Sequence, residues 1–260
     1  MLFHTARVED EMRIGGSTAL VTGANRGLGK ALVRALLEAG CAKVYAGARN
    51  VEGVAPDRLV QPLQLDITNG EQVAAAAAQC GDVDILINNA GAIPGGTIDD
   101  VDEPAWRIGW DLKVFGYIGL TRLYLQKMKA RRRGVIVNII GAGGERLDFG
   151  YIAGAAGNAG LMAFTRAIGG TSPEFGVRVV GVNPGPVQTD RIETLSRKRA
   201  AALYGDENRW RETFAKMPFG RPATTDEIAA MVVFLASDLS AYTSGTIVTI
   251  DGGLTYRSQP

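Results

Sequence analysis

The segment Thr22-Gly23-Ala24-Asn25-Arg26-Gly27-Leu28-Gly29 sets three glycines between an apolar β-branched run and a stretch of helical periodicity. Glycine at 23 permits a tight turn, at 27 it lets the backbone approach a pyrophosphate, and at 29 it allows a helix to pack closely on a strand. The free N–H groups at the start of that helix would face the phosphates of a dinucleotide. The second apolar run closes on Ala48-Arg49-Asn50, where a carboxylate would hydrogen-bond a ribose 2′-hydroxyl and repel a 2′-phosphate. Arg49, together with Arg26 inside the glycine turn, offers two guanidinium groups to a phosphate instead. This arrangement favours NADP(H) over NAD(H).

Other chemistries lack their residues. His4 is the single histidine of the 260-residue chain, so histidine-based triads and most metal sites are excluded and no metal is expected. Cys41 and Cys80 lie too far apart in sequence for a zinc ribbon or a disulfide framework, which points to a reducing compartment. Lys+Arg 28 against Asp+Glu 27 gives a net charge of +1, and no global field draws nucleic acid or an anionic membrane. No stretch approaches the roughly 18 uninterrupted apolar residues of a membrane span. The segment before Arg13 is polar where a signal peptide needs an apolar core, so a cytoplasmic location is expected.

The elements that must position these residues alternate. Thr18 to Val21, Lys43 to Ala46, Leu63 to Ile67, Val83 to Ile87, Val135 to Ile139, Val177 to Val182 and Thr246 to Ile250 read as strands. Helical patterns lie between them near Gly27 to Ala39, Gly70 to Gln79, Glu103 to Lys129, Asn158 to Gly170 and Thr225 to Ala236. Strands without polar alternation, separated by helices, imply an α/β fold with a parallel sheet of about seven strands covered on both faces. A flexible segment is expected over 1–14 and a single domain over 15–260. Within that domain the 190–217 stretch breaks the rhythm, with Leu195, Leu203, Trp210 and Phe214 spaced as in short amphipathic helices. Following directly on a strand end, it is placed as a lid over a ligand crevice, or as a solvated surface excursion. The run Lys127, Lys129, Arg131, Arg132 and Arg133 ends a long helix, where cations complement the dipole, and reads as a solvated terminus.

Four motifs in order then carry a resemblance. The Thr-Gly-x-x-x-Gly-x-Gly turn, Asn88-Asn89-Ala90-Gly91, Pro184-Gly185-Pro186-Val187-Gln188-Thr189 and Asp251-Gly252-Gly253 make the chain resemble the short-chain dehydrogenase/reductase family from about Gly15 to Thr255. The resemblance implies a single-domain Rossmann-type, doubly wound sheet. It implies cofactor contacts from Gly23, Asn25, Arg26, Gly27, Leu28, Gly29 and Arg49. It also implies that Asp66 and Ile67 flank the adenine, that Asn89, Ala90 and Gly91 lie near the adenosine ribose, and that Pro184, Gly185, Val187 and Thr189 lie by the nicotinamide. A small-molecule substrate and a homodimer or homotetramer are further implications, the latter built on the helices around Glu103 to Lys129 and Asn158 to Gly170.

The same resemblance exposes a departure. The family's tyrosine exchanges a proton with the substrate, its lysine lowers that tyrosine's pKa and binds the ribose, its serine polarises the substrate oxygen, and its asparagine holds a relay water. Aligning Val135 to Ile140 with the family's strand puts Gly141 at the serine, Gly154 at the tyrosine and Asn158 at the lysine. Lys113 falls at the asparagine. Glycine has neither a proton to give nor an oxygen to polarise. Lys113 and Asn158, however, look exchanged rather than lost, keeping one cation and one amide in the pocket, and both are expected to touch the cofactor. Tyr151 precedes the vacant tyrosine position and could bring its hydroxyl in by another backbone path, or pack at a subunit interface. Glu145, Arg146 and Asp148 are expected at the pocket mouth. Three readings stand: an NADP(H)-dependent oxidoreductase with a non-standard site, an NADP(H)-binding protein without redox turnover, and a non-redox enzyme on the same scaffold.

Overall fold

Short runs of Val, Ile, Leu and Ala that bury on both faces assemble into one sheet. The computed structural model describes residues 14–257. Its strands are β1 (Thr18–Thr22), β2 (Lys43–Ala48), β3 (Val60–Gln64), β4 (Ile85–Asn88), β5 (Gly134–Ile139), β6 (Val177–Pro184) and β7 (Ile247–Ile250). They lie in the order β3-β2-β1-β4-β5-β6-β7, every neighbouring pair parallel. His4 and the rest of the predicted N-terminal segment up to Arg13 lie outside the described residues.

Helices α1 (Gly27–Glu38), α2 (Gly70–Cys80), α3 (Glu103–Trp110), α4 (Gly116–Arg131), α5 (Ile152–Thr171), α6 (Asp190–Tyr204) and α7 (Thr225–Ala236) fill the connections. Because alternate strand residues face opposite ways, the sheet feeds two cores. Val21, Ile87, Val137 and Val180 pack against Leu32, Leu36 and Val232 on one face. Leu20, Leu86, Ile136 and Val179 pack against Tyr117, Leu120, Tyr124 and Leu161 on the other. Full burial of each such side chain contributes roughly 1.5–3 kcal/mol. The chain reverses direction across the sheet between β1 and β4, and a crevice opens there at the carboxyl ends of the strands.

Three elements differ from the sequence reading, each for a physical reason. β3 pairs from Val60, not Leu63, because Pro62 is tolerated on an edge strand where its missing N–H costs nothing. The single helix expected over Glu103 to Lys129 is broken by a π-turn at Asp111–Phe115, which inserts one residue into the helical repeat and re-aims Lys113. α5 begins at Ile152, well before Asn158, although Gly154 and Gly157 argue against helix by propensity. Close packing explains the small residues: a Cβ at Gly157 would sit 3.1 Å from both Trp110 Nε1 and Val114 Cγ2.

The basic run is solvated at Arg132 and Arg133, as expected, but Lys127 and Arg131 are tied to neighbouring groups. Arg131 pairs with Asp84 and Asp82 at 3.2 and 3.5 Å, Arg133 reaches Asp84 at 3.4 Å, and Lys127 donates to the Ala77 carbonyl at 2.6 Å. These bonds tie the end of α4 to the foot of β4 and spend the positive charge internally. The 190–217 stretch forms α6 and a 3₁₀ segment over Glu207–Phe214, which share a small core of Ala200, Trp210 and Phe214 apart from the main ones. Cys41 and Cys80 are buried free thiols. No described helix is long and apolar enough to cross a membrane.

Candidate functional site

The crevice begins where β1 runs into the glycine turn. Gly23 takes φ +65°, a conformation that side chains disfavour, and a Cβ on Gly29 would overlap the Gly23 carbonyl, so the helix can start this close only with glycine there. The turn is braced from β4. Thr22 Oγ1 accepts from the Asn89 and Ala90 amides at 2.9 and 3.0 Å, and Asn89 Nδ2 donates to the Thr22 carbonyl at 2.9 Å. Arg26 stands at the N-cap of α1 with no side-chain cap, and the first turn holds no acidic residue, leaving its N–H groups free for an anion. Neither Arg26 nor Arg49 forms an ion pair among the described residues, and both are exposed.

The remaining cradle residues are distributed around this turn. Asn25 packs its carbonyl where a Cβ on Gly53 would stand 2.8 Å away, and Leu28 leans on the core beneath. Asp66 Oδ1 is held by the Thr68 amide and hydroxyl at 3.0 and 2.8 Å, whereas the Ile67 side chain is buried against Gly116. Gly91 leaves room for the stem of Lys113, whose Cδ would lie 2.9 Å from a Cβ there. Pro184 pairs with Ile250, and Gly185 donates to the Ile250 carbonyl at 2.9 Å. Val187 bridges to Ala223, and Thr189 brings its methyl to 3.4 Å from the Cβ position of Gly27, closing the loop after β6 over the glycine turn. A turn braced from below, an uncapped helix start and two unpaired arginines fit a dinucleotide phosphate chain.

At the β5 end the residues singled out for catalysis converge. Lys113, on the π-turn, donates from Nζ to the Ile140 carbonyl. Withdrawal from solvent and the like charge of Arg191 hold its pKa down to about 8. Asn158, on α5, is 2% exposed, places Nδ2 at 3.3 Å from the Cβ position of Gly141, and leaves Oδ1 buried without a hydrogen-bond partner. Cation and amide thus meet the same strand end, Ile140–Gly141, from two sides. Gly141 itself takes φ +122° and donates to Asn183 Oδ1 at 3.3 Å, so a serine there would be strained as well as displaced.

Tyr151 occupies the space that a side chain at 154 would need: a Cβ on Gly154 would overlap its Cζ and Cε1, and one on Gly143 would lie 3.1 Å from its Cδ1. Its backbone is fixed across the crevice, because Gly96 and Tyr151 form a parallel bridge in which Gly96 donates to the Gly150 carbonyl at 2.8 Å and Ile152 donates back at 3.2 Å. Burial raises the phenol's pKa and the charge of Arg191 opposes that rise. The acidic loop residues have other partners. Glu145 accepts from the Thr249 hydroxyl at 2.7 Å and Asp148 from the Gly150 amide at 2.8 Å, while Arg146 is exposed.

Arg191, in the first turn of α6, was not among the sequence candidates. It donates from Nη2 to the Ile93 carbonyl at 3.2 Å, spanning from the loop after β6 to the loop after β4. Its adjacency to Thr189 was the available signal, but side-chain reach across the crevice leaves no sequence pattern. Asn183 was likewise missed, being hidden within the apolar run of β6. A separate cavity of about 430 Å³, lined by Pro186, Met217, Phe219, Arg221 and Asp251, lies beside this pocket and includes none of its candidate catalytic groups.

Comparison with known proteins agrees with this geometry. A family model described as enoyl-(acyl carrier protein) reductase matches residues 23–255. The chain is 32% identical over 252 residues to the 3-oxoacyl-[acyl-carrier-protein] reductase FabG of Vibrio cholerae serotype O1, covering 94% of this chain and 99% of the relative. It is 35% identical over 251 residues to cis-4-hydroxycyclohexanecarboxylate dehydrogenase of Sinomonas cyclohexanicum, covering 91% and 96%. Among solved structures, L-sorbose reductase from Gluconobacter frateurii, complexed with NADPH and L-sorbose, superposes with a TM-score of 0.87 at 25% identity, covering 95% of this chain and 100% of the other. A short-chain dehydrogenase/reductase family oxidoreductase from Burkholderia thailandensis gives 0.82 at 30% identity, with 94% of each chain covered. The chain belongs to the short-chain dehydrogenase/reductase family.

Proposed function

We propose that this member of the short-chain dehydrogenase/reductase family transfers hydride between NADP(H) and a small organic substrate through a non-standard active site. Gly141 and Gly154 then stand where the family's serine and tyrosine would, and Tyr151, Lys113 and Asn158 do their work. The observation that carries this reading is the Tyr151 ring lying in the side-chain space of Gly154. A phenol delivered from three residues earlier restores the proton donor that glycine at 154 lacks.

When bound, the nicotinamide supplies or takes up the hydride. Gly23, Asn25, Gly27, Leu28 and Gly29 would hold the pyrophosphate against α1, with Asn89, Ala90 and Gly91 beside the adenosine ribose and Asp66 and Ile67 beside the adenine. Pro184, Gly185, Val187 and Thr189 would meet the nicotinamide. Arg26 and Arg49 would pair a 2′-phosphate, which makes NADP(H) the preferred form. Tyr151, its pKa raised by burial, stays protonated at neutral pH and gives its hydroxyl proton to the substrate oxygen as hydride arrives at carbon. In the reverse direction the proton returns to the phenolate. Lys113 supplies the cation that the family places at position 158, and Asn158, with its unpartnered Oδ1, supplies the amide.

The 190–217 segment acts in this reading as a lid hinged beside Thr189. The chain is taken to work in the cytoplasm, in keeping with its two free thiols, as a homodimer or homotetramer in which exposed Phe115 on the α3–α4 face becomes covered. The test is loss of nicotinamide absorbance with NADPH and a panel of aldehydes, ketones, imines and activated alkenes. Substrate-dependent oxidation of NADPH supports redox turnover. Tight NADPH binding with no oxidation across the panel favours a dinucleotide-binding protein, and product formation without cofactor consumption favours a non-redox enzyme.

A further inference from the structure

Two cations lie beside Tyr151, the half-buried Lys113 and the exposed Arg191, whose partner Ile93 shares a small apolar cluster with the tyrosine, and neither cation has an anionic partner among the described residues. Lys113 is half-buried and bonded to a carbonyl, and no ion pair among the described residues includes it or Arg191. The acids closest to Arg191 in sequence do not serve it: Glu193 is held by Arg197 at 2.7 Å and Asp190 forms no ion pair. Glu145 and Asp148, on the facing loop, are taken by Thr249 and Gly150. The position of Arg191 is also costly for its own helix, since a cation in a first turn opposes the helix dipole. Its one hydrogen bond, to the Ile93 carbonyl, holds the guanidinium between the loops after β6 and β4 and leaves donors unused. Arg191 acts on Lys113 strongly enough to help lower its pKa, and an anion beside two such cations would stabilise both.

We propose that Arg191 is the specificity-determining residue of this site and anchors a carboxylate carried by the substrate. The inference rests on the oxidoreductase reading above and deepens it by naming the substrate class: short oxo- or hydroxycarboxylates, with the reacting carbon presented to Tyr151. A guanidinium fork matches a carboxylate in two parallel hydrogen bonds, so it fixes orientation as well as affinity.

The test compares acetoacetate and levulinate with their methyl esters, using the full chain and NADPH. Wild type should favour the acids by about 10- to 100-fold in kcat/KM, the range a charge-assisted hydrogen bond supplies. Arg191→Gln should erase that preference through the KM of the acids, its effect on the esters being the smaller of the two, and Arg191→Lys should restore part of it. Equal use of acids and esters by wild type, or a loss of equal size on both in Arg191→Gln, overturns the proposal. Should no compound be reduced, the oxidoreductase reading is what fails, and calorimetric titration of levulinate into the NADPH complex still decides the anchor. Binding of levulinate that is absent in Arg191→Gln supports it; equal binding by both proteins, or none by wild type, overturns it.

Discussion

At the β1 end of the crevice, the glycine turn is tied down from below by Thr22 and Asn89, and the missing side chains make room for a ligand's phosphates. At the β5 end, the missing side chains make room for the protein's own groups: the Tyr151 ring fills the space at Gly154, and the Asn158 amide reaches the space at Gly141. Glycine is used in both places, but in one it leaves a surface open and in the other its space is filled by the protein's own side chains. In the first half, Gly23 and Gly29 face backbone that cannot give way, and Gly27 is held to glycine by its positive φ. In the second, on the function proposed above, the proton donor is free to come from another position so long as a phenol and a cation reach the same strand end.

That difference can be broken or sharpened by mutation, most severely at the turn. Gly29→Ala forces a Cβ into the Gly23 carbonyl, which cannot move without unseating β1 or α1. Its expected outcome is a loss of about 2–4 kcal/mol in denaturant unfolding and no measurable NADPH binding by fluorescence titration. Wild-type binding by Gly29→Ala would show that the turn is not the rigid half.

At the other end, Lys113→Ala should lower kcat by about 10- to 100-fold and weaken NADPH binding, the kcat loss being the size expected for removing one positioned charge; unchanged affinity and turnover would remove Lys113 from the site. Its titration gives a second readout. The pKa near 8 means that reductive kcat/KM should be level at neutral pH and fall as pH rises through about 8, when the cation is lost. Lys113→Arg should carry that fall to higher pH. The stability effect has the opposite sense: a lysine depressed in the folded state costs most where both states are protonated. Wild type should therefore gain stability as pH rises above 8 towards the unfolded lysine's value, and Lys113→Ala should not.

A smaller change is expected at the arginines, which are exposed and form no ion pair among the described residues. Arg49→Ala should weaken NADPH binding by about tenfold and leave NADH binding unchanged, with Arg26→Ala acting in the same direction. Equal losses for both dinucleotides would assign these side chains to the surface.

Much of this division was legible in the sequence. The strands announce themselves as short β-branched runs, the glycine turn by its spacing, and α7 by apolar periodicity that matches its observed bounds, Thr225–Ala236. What stayed hidden depends on contacts that periodicity does not encode. The π-turn at Asp111–Phe115 adds one residue inside a pattern that still reads as helix. The early start of α5 at Ile152 runs against the propensities of Gly154 and Gly157 and is imposed by Trp110, which donates from Nε1 to the Ala153 carbonyl at 2.9 Å. Tyr151 was named as a candidate, but the place of its ring follows from that helix start and from the bridge to Gly96. Arg191 lay beyond sequence reading because its partner is 98 residues away.

The central claim is that the proton donor has moved from position 154 to Tyr151. Tyr151→Phe keeps the ring that fills the space at Gly154 and removes only the hydroxyl, so fold and NADPH affinity should be unchanged. Single-turnover oxidation of bound NADPH by a carbonyl substrate should then fall by about 10²- to 10⁴-fold, the contribution of a positioned general acid. A Tyr151→Phe enzyme that reduces the same substrate at the wild-type rate would contradict the account.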